Sequence, residues 1–398
     1  MTEGSVAGNS GTEKLFYHDS HQKTFTAVVK ACEEKNGRFE VELDRTAFFP
    51  EGGGQYADTG VLDGVRVLDV QEEQERVVHI TDGPLVPGQQ VEGHIDWDER
   101  FMKMQQHTGE HIVSGLVHSR FGYHNVGFHL GSTDCTMDFD GEITKEELGA
   151  IENEANRAVW KNLEVQVLYP SREELEDMEY RSKIEIQGQV RIVVIPGYDT
   201  CACCAPHVKR TGEIGAIKLT NVQRYKGGVR VTMLCGQRAL ADYALKQEQS
   251  REISALLCAR ENETADAVQH LWEENAQLKA EIVRLEREVT ACWARLIPDD
   301  EKTVCIFPGE LKSDAMRMLM NQILEKERTL CAVFCGSDKD GYRYVIGSRE
   351  ADMRPLVKEF NGAFDGRGGG RPEMVQGTAH GKQEEMREWI LEKAGKIL

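Results

Sequence analysis

Two pairs of residues that bind metals, each pair four positions apart, are the first feature of the sequence with an obvious chemical use. His107 and His111 form one pair, and Cys203 and His207 form the other. Residues at i and i+4 share one face of a helix, so both imidazoles of the first pair can reach a single ion. Thiolate and neutral imidazole are preferred zinc ligands and need no redox chemistry. The four residues therefore predict a site for Zn2+.

Neighbouring residues leave alternatives to this ligand set. Cys201 and Cys203 could supply two ligands together and leave one histidine outside, and Cys204 is a further rival thiol. Glu110 directly precedes His111, whereas the glutamate of the metalloprotease H-E-x-x-H pattern follows the first histidine. On a helix Glu110 is expected to project about one hundred degrees away from His111. The pattern therefore does not indicate a metalloprotease.

A glycine-rich run is the second chemical signal. It begins at Thr46, continues as Ala-Phe-Phe-Pro-Glu through Gly52, Gly53 and Gly54, and ends at Gln55. Consecutive glycines let the backbone approach a ligand closely and direct N–H groups at it. The run is not a P-loop, because no G-x-x-x-x-G-K-[ST] pattern is present. A bulged hairpin turn is the plainer interpretation, although such a turn needs fewer glycines.

Charge limits the partners of the protein. The formal net charge of −19 argues against wholesale coating of nucleic acid, which requires local positive potential. One segment has the opposite balance, with seven basic residues against Glu213 alone: Lys209, Arg210, Lys218, Arg224, Lys226, Arg230 and Arg238. This stripe could bind one nucleic-acid molecule, or its members could lie on unrelated solvated faces.

Cysteine use and hydropathy indicate the compartment. The 11 cysteines are an odd number spread over 398 residues, which does not suit a disulfide framework. There is no apolar run of membrane-spanning length, and the N-terminus lacks the basic start and apolar core of a secretory signal. We therefore expect a cytoplasmic protein without a membrane partner.

The elements that must position these residues begin with a β-rich unit. Short alternating runs at residues 25–29, 39–43, 65–70 and 77–80 are separated by turn residues, which predicts a small barrel over residues 14–96. Helical spacing follows at residues 99–120, with a second helix near 145–161, and strands resume at 164–168 and 191–195. Residues 97–243 are therefore expected to form an α+β domain that contains the zinc site.

A heptad pattern dominates residues 244–298. The a positions hold Val268, Asn275, Ile282, Val289 and Leu296, and the d positions hold Leu271, Leu278, Leu285 and Cys292. About four heptads of this kind predict a coiled coil, and the a and d residues favour a parallel homodimer. An intramolecular hairpin with the helical stretch 239–257 is the alternative, and Pro298 is expected to end the helix.

Residues 299–398 are predicted to form a separate α/β domain. Strands are expected near 304–307, 330–335 and 342–346. The most distinctive run of this domain is glycine-rich, from Gly366 to Gly370, and is interpreted as a loop.

Taken together, these motifs resemble a known family. The run from Thr46 to Gln55, the HxxxH at His107 and the CxxxH at Cys203 resemble the editing domain of alanyl-tRNA synthetases and their free-standing AlaX relatives. The run 362–377 resembles the signature of the DHHA1 domain that closes these synthetases. The likeness covers the chain in the same order, with the coiled-coil helix between the two domains.

The resemblance implies a trans-editing hydrolase that removes a wrongly attached amino acid, serine or glycine, from alanine tRNA. It implies that Thr46 senses the substrate hydroxyl, that Gly52, Gly53, Gly54 and Gln55 shape the pocket, and that His107, His111, Cys203 and His207 hold zinc. The implied partner is aminoacylated tRNA. Its expected basic contacts are Lys209, Arg210, Arg224 and Lys226 in the first two domains and Arg354, Arg367 and Arg371 in the last.

Two features depart from the synthetase pattern. Only about a dozen residues precede the β-rich unit, so the chain is not expected to activate alanine. The zinc cysteine and histidine of the synthetases enclose Gly-Gly-Thr, whereas here they enclose Cys204, Ala205 and Pro206. A non-catalytic, zinc-containing tRNA-binding protein and an editor of another mischarged tRNA are the alternative functions.

Overall fold

The computed structural model describes residues 11–182 and 189–397. It divides into two compact units, of which the first ends at Arg251 and the second begins at Glu252. Both units combine helices with β-sheets, so the chain has the mixed α+β architecture that its sequence predicts. Within the described ranges no helix is long and apolar enough to cross a membrane.

Most of the strands before the first long helix close into a barrel. The strands are β1 (Glu13–Lys14), β2 (Thr24–Lys35), β3 (Arg38–Leu43), β4 (Arg45–Thr46), β5 (Gly60–Leu62), β6 (Val65–Glu73), β7 (Arg76–Thr81) and β8 (Gln90–Ile95). The closed order is β2, β3, β7, β6, β5, β8. The start of β2 alternates exposed and buried residues, which turns Phe25, Ala27 and Val29 into the barrel core. Asn36 and Gly37 both have positive φ and form the tight β2–β3 turn that an Asn-Gly pair favours.

The rest of the first unit packs helices against two antiparallel sheets. Its elements are α1 (Trp97–Phe121), β9 (Asn125–Leu130), β10 (Cys135–Phe139), α2 (Lys145–Lys161), β11 (Gln166–Leu168), α3 (Arg172–Glu176), β12 (Ile192–Ile195), β13 (Asp199–Ala202), β14 (Ile217–Tyr225) and β15 (Gly228–Cys235). The sheet orders are β14-β15-β10-β9 and β11-β12-β13. The helices predicted near residues 99–120 and 145–161 are both present, and α2 begins with a capping box between Thr144 and Glu147.

Two long helices follow, α4 (Gly236–Leu256) and α5 (Thr264–Leu296). The predicted helix over the heptads is therefore present, and it ends two residues before Pro298. Its a and d side chains are not buried: Val268, Leu271, Leu278, Ile282, Leu285 and Val289 are each 42–56% exposed. The coiled-coil dimer and the intramolecular hairpin both stay predictions.

The C-terminal domain is built on one five-stranded sheet. Its elements are β16 (Thr303–Ile306), α6 (Ser313–Leu324), β17 (Leu330–Ser337), β18 (Gly341–Gly347), α7 (Met353–Ala363), β19 (Arg367–Arg371), β20 (Met374–Ala379) and α8 (Gln383–Ile397). The strand order is β16-β17-β18-β20-β19, in which only the β16–β17 pair is parallel. The interpretation of the glycine run as a loop was wrong, because β19 pairs along its whole length with β20 at the sheet edge. Backbone pairing requires no side chains, so sequence periodicity does not reveal such a strand.

Candidate functional site

Helix α1 and the loop after β13 bring the four predicted metal ligands together. His107, His111, Cys203 and His207 each offer one ligand atom, and these atoms all lie within 4.8 Å of one another. The Cys203 Sγ is 3.5 Å from His107 Nε2 and 3.4 Å from His207 Nε2. All three imidazoles are at most 3% exposed. The arrangement is a compact pocket of donors with the chemistry that zinc prefers.

Each imidazole contacts a different polar partner through its Nδ1 atom. Gln55 Oε1 lies 3.1 Å from His107, Asp199 Oδ2 lies 2.8 Å from His111, and Thr108 Oγ1 lies 3.1 Å from His207. A ring that donates its Nδ1–H outward presents the Nε2 lone pair on its other side, which is the tautomer needed for metal binding. The donor set and its outer partners therefore fit a divalent metal ion.

Asp199 and its partner Arg181 belong to the site but were not predicted from the sequence. Arg181 donates from Nε to Asp199 Oδ1 at 2.7 Å and from Nη2 to Oδ2 at 2.9 Å. Burial raises the pKa of Asp199, but hydrogen bonds from His111 and Arg181 outweigh it and lower the pKa below its ordinary value. A carboxylate that orients a ligand histidine is a common feature of metal sites. Only its position two residues before Cys201 hinted at this role.

The rival thiols do not share the environment of Cys203. Burial opposes ionisation of Cys203, yet His107 and His207 favour its thiolate and bring its pKa well below the ordinary value. Burial raises the pKa of Cys201, which lies in a second group with His111 and Asp199. Cys204 belongs to neither group among the described residues and is exposed. Cys203 is therefore the thiol best suited to hold a metal.

Glu110 lies beside the cluster, contrary to the helical projection. Its side chain is 1% exposed, and its Oε2 is 3.8 Å from His111 Nε2. Its Oε1 accepts hydrogen bonds from Ser114 at 2.7 Å and from Asn125 at 2.6 Å. A long side chain can bend back over its neighbour, which an angle measured at Cβ does not describe.

The glycine-rich run forms a tight turn against β9. Backbone bonds of 3.0 Å join Gly52 and Gln55 in both directions. Gly54 has a φ of 81°, and a Cβ there would lie 2.5 Å from the carbonyl oxygen of Phe128. The Phe128 ring in turn lies 4.8 Å from the His107 ring, centroid to centroid. Glycine is therefore required at this position for the loop to reach the metal-ligand cluster.

Gln55 connects this loop to the cluster directly. It is 1% exposed, and its Oε1 accepts the hydrogen bond from His107 described above. Its Nε2 is buried and has no hydrogen-bond partner among the described residues. A buried amide donor without a partner is costly, which makes Gln55 Nε2 a candidate contact for a ligand.

The structure places Thr46 inside the barrel. It is 0% exposed, its Oγ1 lies 2.8 Å from His79 Nε2, and it accepts a hydrogen bond of 3.1 Å from the Phe48 amide. His79 Nδ1 lies 3.1 Å from the Val41 carbonyl oxygen, so this nitrogen must carry the proton. Thr46 therefore donates its hydroxyl proton to His79, a partner that the sequence did not indicate.

A buried ion cluster anchors the end of the glycine run to α1. Arg100 forms a short contact from Nη2 to Asp58 Oδ2 and donates to it from Nε at 2.8 Å. The same oxygen accepts from the Phe49 amide at 2.7 Å. Lys103 Nζ donates to the Ala57 carbonyl at 2.5 Å, and the three charged side chains are at most 1% exposed. Helix α1 thus fixes both the glycine run and the two histidines.

An aromatic contact joins the two loops of the site. Phe16 packs against Phe49 of the glycine run, with ring centroids 5.4 Å apart, and both cluster with Ala205. Phe16 and Ala205 are almost completely buried. The N-terminal segment therefore holds the glycine run against the loop that carries Cys203.

Several of the predicted tRNA contacts of the first unit have partners within the protein. Lys209 pairs with Asp19 at 2.8 Å, and Arg210 donates to the Asn162 carbonyl at 2.6 Å. Arg224, 87% exposed, and Lys226 lie at the β14–β15 turn. Two others of the basic stripe pair with acids: Lys218 with Glu152 and Arg230 with Asp138. Four of the seven basic residues counted from the sequence therefore have an acidic partner, Arg224 through Glu142 at 3.6 Å.

The three C-terminal arginines surround the edge strand of the last domain. Arg367 and Arg371 are the ends of β19, and both are exposed. Arg354 pairs with Asp352 at 2.7 Å and, with Lys358 and the three glycines of β19, lines a pocket of about 310 Å³.

Three protein-family models match separate parts of the chain. The family model described as "Threonyl and Alanyl tRNA synthetase second additional domain" matches residues 190–232. The model for "tRNA synthetases class II (A)" matches residues 6–99, and the DHHA1 domain model matches residues 300–398.

Individual relatives extend over most of the length. The alanyl-tRNA editing proteins Aarsd1 of Rattus norvegicus and Mus musculus are each 28% identical over 386 residues, which is 92% of this chain and 93% of theirs. The alanine–tRNA ligase of Pyrobaculum neutrophilum is 31% identical over 411 residues, which is 97% of this chain but 45% of the ligase. The chain thus spans nearly all of the editing proteins and less than half of the ligase. The chain is thus similar along most of its length to alanyl-tRNA editing proteins, and it shares the second additional domain and DHHA1 models with the synthetases.

Proposed function

We propose that this protein is a trans-editing hydrolase that cleaves the ester of mischarged alanine tRNA, with the seryl ester as substrate and the glycyl ester as a second one. The observation that carries the proposal is the convergence of His107, His111, Cys203 and His207 within 4.8 Å, beside a glycine run that ends in Gln55. Relatives named as alanyl-tRNA editing proteins along 92% of the chain support it. Such a role belongs in the cytoplasm, where charged tRNA is used.

The resident ion is proposed to be zinc, held by three imidazole nitrogens and one thiolate. The Nδ1 partners of the three rings fix the tautomers that this set requires. When bound, zinc would supply a fixed positive charge that orders the pocket and favours negative charge next to it.

The reaction itself is the addition of water to an ester. The acyl carbon gains the hydroxyl of water, the bond to the ribose oxygen breaks, and that oxygen takes up the remaining proton of the water. Gln55 is placed to assist, because its Oε1 is held by His107 while its Nε2 can donate to the acyl oxygen on which negative charge develops. Gly52, Gly53 and Gly54 allow the substrate backbone to approach this amide closely.

Thr46 is proposed to act by positioning the glycine run, which begins at this residue. Direct recognition of a serine hydroxyl would require Thr46 to turn from His79 and leave two buried partners without hydrogen bonds. The geometry favours a positioning role, in which Thr46 and His79 fix the first residues of the glycine run.

Contacts to tRNA are proposed in both units. Lys209 and Arg210 directly follow the His207 loop, and Arg224 and Lys226 extend on the β14–β15 turn. Arg354, Arg367 and Arg371 are proposed to meet backbone phosphates, because arginine matches phosphate geometry and the glycines of β19 leave its backbone accessible.

The test is deacylation of a panel of charged tRNAs by the metal-loaded full-length protein. We expect rapid release of serine from Ser-tRNA(Ala), slower release of glycine from Gly-tRNA(Ala) and negligible release from Ala-tRNA(Ala). The Gln55→Glu variant should lose most activity and retain tRNA binding. Equal, low hydrolysis of all substrates by the wild type would contradict the proposal and favour a tRNA-binding protein.

The metal is tested separately by its stoichiometry. We expect about one zinc ion per chain in the wild type and a large loss in His107→Ala and Cys203→Ala, measured by elemental analysis of purified protein. His94→Ala and Cys258→Ala are the controls, because these residues are exposed and lie outside the cluster. Unchanged zinc content in both ligand variants would remove the proposed ligand set.

A further inference from the structure

The adjacent thiols of Cys203 and Cys204 face different surroundings. Cys203 Sγ points to the histidine cluster, whereas Cys204 is exposed and faces the glycine run. A Cβ at Gly53 would lie 3.5 Å from Cys204 Sγ and 3.9 Å from His107 Cε1. Cys204 and the ligand His107 therefore border the same small space above Gly53.

The backbone on both sides of Cys204 is fixed by neighbouring residues. Arg191, 8% exposed, donates from Nη1 to the Cys203 carbonyl at 2.7 Å and to the Ala205 carbonyl at 3.0 Å. Ala205 is held in the aromatic cluster with Phe16 and Phe49. Since both flanking residues are bound, the backbone of Cys204 is held beside the glycine run.

The glycine run faces this thiol without side chains of its own. Gly53 has a φ of 61°, a conformation that side chains rarely adopt, and a Cβ at Gly52 would already lie 4.0 Å from Cys204 Sγ. Cys204 therefore borders this corner of the site together with Phe49 and His107, and its Sγ is the atom nearest to a Cβ at Gly53.

We propose that Cys204 is a specificity-determining residue that sets the largest amino-acid side chain the site accepts. The inference rests on the proposed ester hydrolysis, in which the acyl group lies beside Gln55 and His107. The sulfur then occupies space into which a side chain larger than that of serine would extend. One methylene in such a pocket changes discrimination by about 10- to 100-fold.

Substitution at this position should change substrate ratios. In metal-loaded full-length protein, Cys204→Gly should raise kcat/KM for threonyl-tRNA(Ala) relative to seryl-tRNA(Ala) by about 10- to 100-fold, because space is added. Cys204→Met should lower seryl relative to glycyl hydrolysis by a similar factor. A ratio of kcat/KM values for two substrates, measured on one preparation, does not depend on the fraction of folded enzyme. The control is Cys292→Met, at an exposed thiol of α5, which should leave both substrate ratios unchanged.

A binding measurement gives a second readout in the wild type. The non-hydrolysable 3′-seryl-amide of 3′-aminoadenosine should slow alkylation of Cys204, followed by mass spectrometry, without slowing that of Cys258 or Cys292. Unchanged ratios in both variants with an active wild type would overturn the role of Cys204 alone, as would equal labelling with and without the analogue. A wild type that hydrolyses none of the esters would overturn the proposed function and this inference with it.

Discussion

The Thr46 hydroxyl forms hydrogen bonds with two polar groups inside the barrel. Removing the hydroxyl should therefore affect the stability of the fold. Val has nearly the same shape as Thr but cannot donate to His79 or accept from Phe48. We expect Thr46→Val to lower the free energy of unfolding by about 1–3 kcal/mol, because two buried groups lose their partners. Urea unfolding measures this cost.

The same variant separates positioning from recognition. A positioning role predicts that activity on seryl and alanyl tRNA falls together and that their ratio changes little. A ratio that collapses towards one, with stability preserved, would instead show that Thr46 contacts the substrate hydroxyl.

His79 should make the barrel sensitive to acid. Burial lowers its pKa from 6.5 to about 4 in the folded protein. Between these pH values the unfolded chain binds a proton at His79 that the folded chain does not bind. The free energy of unfolding therefore has its full value with respect to His79 above pH 6.5 and falls as the pH drops towards 4. The loss amounts to about 3 kcal/mol.

The measurement is chemical unfolding at several pH values between 4 and 7. His79→Gln should remove this component of the slope, because glutamine does not titrate and can still accept from Thr46. An identical slope in wild type and His79→Gln would contradict the prediction.

At the scale of elements, helix α1 is the common support of the site. It carries His107 and His111 and holds the glycine run through Asp58, Arg100 and Lys103. Removing one member of a buried ion cluster leaves an uncompensated charge, which costs about 3–5 kcal/mol. We expect Asp58→Asn to lose that much stability in urea unfolding.

The same substitution should also weaken the site. Because the glycine run is fixed to α1 by Asp58, activity should fall even at temperatures where Asp58→Asn is fully folded. Asp98→Asn is the matched control, since it removes an exposed carboxylate from the first turn of the same helix and should cost only a few tenths of a kcal/mol. Equal stability of the two variants would show that the buried cluster does not hold the loop.

At the scale of the whole molecule, the exposed stripe of α5 predicts self-association. Leu278 is 56% exposed and Ile282 is 42% exposed, although both occupy heptad positions that normally lie in a helix–helix seam. We expect the wild type to be a dimer at micromolar concentration and Leu278→Lys to be a monomer in sedimentation experiments. Gln277→Lys adds the same charge beside the stripe and should remain dimeric. A monomeric wild type over the whole concentration range would exclude the dimer.

The sequence alone predicted many of the elements and the four candidate metal ligands. Alternation with a period of two gave the barrel strands, helical spacing gave α1 and α2, and pairs four residues apart selected His107, His111, Cys203 and His207. These properties are local, because periodicity and short-range spacing depend on the backbone geometry of one element. The strand β19 was not predicted for the same reason. Its pairing with β20, and not a pattern in its own side chains, makes the glycine run a strand.

Only the tertiary structure decided how the site is supported. Asp199 lies 88 positions from His111, and Gln55 lies 52 positions from His107, yet each pair is within hydrogen-bond distance. The inward hydroxyl of Thr46, the Asp58–Arg100 anchor and the outward thiol of Cys204 likewise depend on which residues fold against them. Hydrogen bonds and burial depend on distances of a few ångströms in space. The local sequence pattern does not show which residues from distant parts of the chain come that close.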